Sequence, residues 1–209
     1  MSTRKRQDWS RATSIYFTED PPREQEDPDD MVGFYDIRRR HLWIDPNTEE
    51  KTADWEVPRT KAGTLSHEIS HFKLGHESLN LYAGQDRESR ERFFEPLVEF
   101  SQKMGPLADY KLHKIRDYIQ ELEVRIFQET QGYLQDKDDR FIDYFREEYI
   151  IGNAEFHATG KKSERLVPLE AARQAVQNMV RKGHITNKQG FNYLRDINAV
   201  VRNVHSASL

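Results

Sequence analysis

Cysteine is absent from all 209 residues, which removes disulfides, thiolate nucleophiles and every cysteine-held zinc or iron–sulfur site. Any metal here has to be held by histidine and carboxylate. Long apolar runs are lacking too. No window approaches the ~20 residues of a membrane helix, and the opening MSTRKRQDWSRATS has basic residues but no apolar stretch of a secretory signal behind them. A cytoplasmic protein without membrane association is the expectation. Hydrophobic residues make up 36% against 33% charged, and mean hydropathy is -0.92. That balance fits one ordinary domain with a generous charged surface, not a multidomain machine.

The net charge of -4 conceals a gradient. Residues 161–209 hold nine basic and three acidic side chains, a local +6, so the first 160 residues carry -10. A basic C-terminal region offers a route to nucleic acid, but a pI near 6.1 argues against nucleic-acid binding as the main task.

Three prolines and seven acids fall together in EDPPREQEDPDD, residues 19–30, which can neither bury apolar area nor donate a full set of backbone hydrogen bonds. Residues 1–30 therefore read as a flexible segment ending in a linker. Beyond it, Val32, Phe34, Leu42 and Ile44 alternate around Arg38, Arg39 and Arg40, the pattern of two short strands joined by a turn. A helix follows from about Pro58 to Leu74, with Leu65, Ile69 and Phe72 at i, i+4, i+7 and Gly75 as its terminator. A charged run, Asp86 to Arg92, suggests a further helix through Phe100. A long helix is expected from about Leu112 to Leu134, striped by Ile115, Ile119, Leu122 and Ile126, and another around Phe141 to Tyr149. The tail reads as a helical hairpin: Pro168 opens one helix, Gly183 closes it, and Thr186 with Gln189 forms a capping box for the next.

The chemistry concentrates in His67-Glu68-Ile69-Ser70-His71. At ~100° per residue the two histidines lie about 40° apart on one helix face, one turn separated, so both imidazoles can reach one tetrahedral ion at ~2.0–2.1 Å. Glu68 projects beside them, placed to serve as general base toward an attacking water and then as acid toward a leaving amine. Zinc is the expected cofactor.

A catalytic zinc needs a third protein ligand and an open fourth position. His76 has the wrong spacing and falls beyond Gly75, so it reads as a supporting residue. The 112–134 helix offers Glu121, Glu123 and Glu129. With Ile115 at 0°, the apolar stripe spans about -20° to +40°, placing Glu123 near 80° on its flank, Glu129 near 320° and Glu121 near 240°, toward water. Glu123 is the choice and Glu129 the reserve. For an oxyanion donor, Tyr110, His113, Tyr118, Tyr133, Tyr144, Tyr149 and His157 are available, none singled out by spacing.

The order GFYDIRRRHLWID, TLSHEISHFKLGH, ELEVRIF resembles the ImmA/IrrE-like group of small gluzincin-like metallopeptidases of bacteria, mobile elements and phages. In that group a sheet edge precedes a THELGH-like helix, and a second helix carries an ExEAxxF-like motif whose second Glu binds zinc. The match falls on Thr64, His67, Glu68, His71, Glu121, Glu123 and Phe127, with Val124 in place of the usual Ala, and covers roughly residues 31–135. The resemblance implies the same third ligand, Glu123. It also implies a specific protein substrate, characteristically a helix-turn-helix transcriptional repressor.

The expected architecture is α+β: a minimal zincin-like fold, predominantly helical with a small antiparallel or mixed sheet, spanning 31–150 and followed by a helical extension at 151–209. Its expected function is peptide hydrolysis by a metalloendopeptidase. The alternative is a catalytically silent metal-binding regulator or anti-restriction-type protein of a mobile element or phage.

Overall fold

The computed structural model describes residues 14–17, 33–36, 41–44, 61–76, 109–134, 139–160 and 162–207. The acidic linker and the 86–100 helix expected from the sequence lie outside these residues. The described chain is predominantly helical, with five helices and three short strands. It divides into two compact units, residues 1–72 and 73–209. Among the described residues no helix is long and apolar enough to cross a membrane.

The first unit holds a three-stranded mixed sheet in the order β1-β3-β2. β2 (Gly33–Asp36) and β3 (His41–Ile44) pair antiparallel with Gly33 opposite Ile44 and Asp36 opposite His41, the hairpin that the alternating pattern calls for. β1 (Ser14–Phe17) adds parallel to β3, Ser14 opposite His41. This strand lies inside the segment expected to be flexible; its sequence SIYF, β-branched and aromatic, suits a pleated surface. On β3 the period-2 residues Leu42 and Ile44 are buried, and Leu65, Ile69 and Phe72 of helix α1 (Lys61–Leu74) pack against them.

The second unit is a four-helix assembly built from α2 (Asp109–Gln131), α3 (Phe141–Thr159), α4 (Lys162–Arg181) and α5 (Asn187–Ala207). α4 meets each of the other three. Its Ala171, Ala172 and Ala175 are wholly buried, and such small side chains let neighbouring backbones approach from more than one side. Residue 150, taken above as the end of the catalytic domain, falls in the middle of α3.

Chain ends of these helices follow local chemistry. α2 stops at Gly132, whose φ of 70° suits a left-handed terminator, and Tyr133 N–H donates back to Gln128 C=O. Thr186 and Gln189 form the reciprocal capping box read from the sequence: Gln189 N–H donates to Thr186 Oγ1 and Thr186 N–H to Gln189 Oε1. Pro168 is a correction. It does not open α4 but sits seven residues into it, with its ring against α3 at Gly152. A Cβ added at Gly152 would lie 2.5 Å from Pro168 Cγ. Gly152→Ala therefore forces a rigid ring or a helix to move, and chemical denaturation is expected to show a loss of about 1–3 kcal/mol. An unchanged midpoint would mean that α3 and α4 slide apart without cost.

Candidate metal centre

α1 carries two faces with different tasks. With Leu65 at 0°, Ile69 and Phe72 lie within about 40° of it, whereas His67 and His71 fall near 200° and 240°. The stripe that packs on β3 thus turns the two imidazoles away from the sheet. Their Nε2 atoms are 3.1 Å apart, and the ring centroids 4.8 Å apart at an interplanar angle of 69°. Two nitrogens held ~2.0–2.1 Å from one ion at a tetrahedral angle lie about 3.3 Å apart. The pair is therefore already at ligand spacing, and the donor set fits a borderline-soft divalent ion. Coordination through both Nε2 atoms asks each ring to carry its proton on Nδ1; in the other tautomer one Nε2–H donates to its neighbour. Both histidines and Glu68 are half-buried, while Thr64, one turn ahead of Glu68, is buried.

The carboxylates of α2 have separate surroundings. Glu123 is 2% exposed, so it lies within the core and not at its edge. His76 Nε2 (2.9 Å) and Lys182 Nζ (3.2 Å) bind its Oε2, and Asn178 Nδ2 (2.7 Å) donates to Oε1. Burial alone raises this carboxyl, but the His76 hydrogen bond and charge, Lys182 and Asn178 together outweigh it and hold the group below the usual carboxylate range. Glu129 accepts the Phe141 N–H at the start of α3 and a hydrogen bond from the Tyr193 hydroxyl. Burial pushes its carboxyl up. Glu121 is half-buried, where the stripe reading put it toward water.

Among the described residues, His67, His71 and Glu121 are the group of side chains that could hold a metal ion. The helical-angle argument ranked Glu121 below its neighbours because it assumed one core-facing stripe. In fact Leu122 through Gln128 are buried without interruption, so α2 has no water face there against which to rank carboxylates.

Sequence reasoning missed the His76–Glu123–Asn178–Lys182 network. Its members lie about fifty residues apart, and only the i, i+4 spacing of Asn178 and Lys182 hints at a shared helix face. Of the oxyanion candidates, Tyr133 accepts a hydrogen bond from Lys73 Nζ at 3.0 Å, and the Tyr149 hydroxyl lies 3.1 Å from His205 Nε2. Tyr118 is pushed well up by burial, with Glu148 and Tyr144 adding to the shift. The side chains of Tyr110 and His113 lie outside the described residues.

Comparison with protein-family models, with characterised proteins and with solved structures gives no match to this chain.

Proposed function

We propose that the chain is a metal-dependent endopeptidase of the ImmA/IrrE-like kind, with an α+β zincin-like arrangement in which β3 backs the helix that presents His67 and His71. The observation that carries this reading is the 3.1 Å spacing of two imidazole nitrogens on the face of α1 opposite its packing stripe. Glu68, the next residue, is the general base: it takes the proton of the attacking water and returns it to the departing amine. Glu121 is the third ligand in this proposal because it completes the one group of suitable side chains. The chemistry a divalent ion supplies when bound is Lewis acidity toward the scissile carbonyl and a lowered water pKa. The substrate is a protein, a helix-turn-helix repressor being the class the family resemblance suggests, with the basic C-terminal region available to nucleic acid.

Metal analysis tests the proposal directly. The purified chain is expected to retain about one zinc-type ion per molecule after dialysis, and His71→Ala to lose it while keeping its helical circular dichroism signal. Equal metal content in the two proteins would remove the basis for the peptidase. A silent regulator would keep the metal and its cellular effect when Glu68 is replaced.

A further inference from the structure

A second concentration of chemistry lies within the helical unit, where α2 meets the C-terminal end of α4. Nine residues line a cleft with about 460 Å³ of empty space, part of it open to solvent. Its floor is Glu123, already engaged by His76, Asn178 and Lys182. A hydrogen-bonded relay runs outward from that floor. Asn178 Nδ2 donates to Glu123, and Arg181 Nη2 donates to Asn178 Oδ1 at 2.9 Å. The buried carboxylate thereby orients the amide, and the amide orients an exposed guanidinium.

The charge balance of this cleft is lopsided. Arg116, Arg181 and Lys182 line it against the single carboxylate of Glu123. Helix-end electrostatics favours basic residues at 181 and 182, in and just after the last turn of α4. It has no bearing on Arg116, the eighth residue of α2. Two guanidiniums from different helices facing one concavity repel each other, and an anion seated between them relieves that repulsion. A surplus of two positive charges matches a dianion better than a monovalent carboxylate. The planar N–H forks of arginine match phosphate oxygens two at a time.

We propose that this cleft between α2 and the end of α4 binds a phosphate-type dianion, either free phosphate or a phosphate monoester, through Arg116 and Arg181 with Lys182 beside them. The site is independent of the peptidase reading, since none of these residues belongs to the His67/His71 pair.

Isothermal titration calorimetry of the full chain, in EDTA and at ionic strength fixed with sodium chloride, tests it with inorganic phosphate and with glycerol 2-phosphate. Binding on the order of 1 mM or tighter is expected. Tighter binding of the ester identifies a phosphomonoester as the ligand, and tighter binding of phosphate identifies the free ion. Arg116→Gln and Arg181→Gln are each expected to weaken binding about tenfold or more. Arg195→Gln, at an exposed arginine paired with Asp196 outside the cleft, is expected to leave it unchanged. Should Arg116→Gln lose its helical signal, Arg116→Lys, which keeps charge but not the fork, takes its place and is expected to weaken binding several-fold. No heat from either anion in the native chain, binding undiminished in the Arg116 and Arg181 variants, or an equal loss in Arg195→Gln would each overturn the site.

Discussion

Glu68→Gln is expected to slow peptide hydrolysis by about 10²–10⁴-fold, the range that a positioned general base contributes, with metal content equal to that of the native chain. The amide keeps the size and hydrogen-bonding reach of the carboxylate but cannot take a proton from water. Glu68 follows His67 in the same helix, and α1 fixes where it points relative to the imidazole pair. Removing its basicity should therefore leave the ligands alone. Cleavage of a panel of helix-turn-helix repressor domains, read by mass spectrometry beside metal analysis of the same samples, provides both readouts. Equal cleavage by the two proteins would take catalysis away from Glu68. Joint loss of metal and cleavage would make Glu68 a ligand or a structural residue instead of a base.

The second large effect belongs to the helical unit. Glu123→Ala is expected to cost about 3–5 kcal/mol, because it strips a buried carboxylate from three donors and leaves His76, Lys182 and Asn178 facing a void. Glu123→Gln should cost less, since an amide oxygen still accepts while the amide nitrogen confronts a donor. Urea unfolding followed by circular dichroism measures both. The same variants resolve the ligand question, because Glu121→Gln is expected to lower metal content and Glu123→Gln to preserve it. The reverse pattern would restore Glu123 as the metal-binding carboxylate and make its present partners a stand-in arrangement.

The parts of this molecule legible in its sequence are those written over short distances. The spacing of His67 and His71, the stripe of Leu65, Ile69 and Phe72, the Gly75 and Gly183 stops and the Thr186–Gln189 cap each depend on residues within two turns of one helix. β2 and β3 were readable for the same reason, their alternation being local. Carboxylate ranking on α2 failed where locality failed. A stripe model presumes one buried side, and residues 122–128 are enclosed on all sides by helices contributed from elsewhere in the chain. Pro168 misled in a related way. A proline is a sound signal for a helix start when only the local backbone is weighed, but here its ring fills a notch made by a glycine sixteen residues upstream on α3. The Glu123 network offered no local signal, since its four members come from the residue after Gly75, the middle of α2 and the end of α4.

The two-faced construction of α1 makes the helix a ruler. Side chains that hold it to β3 and side chains that present nitrogen share one set of backbone hydrogen bonds, so neither set can be re-aimed alone. A single extra residue between Ile69 and His71 would swing the second imidazole by ~100° and drag Phe72 off the sheet in the same stroke. Drift in this segment is thereby confined to like-for-like exchange. Length is the quantity least free to vary.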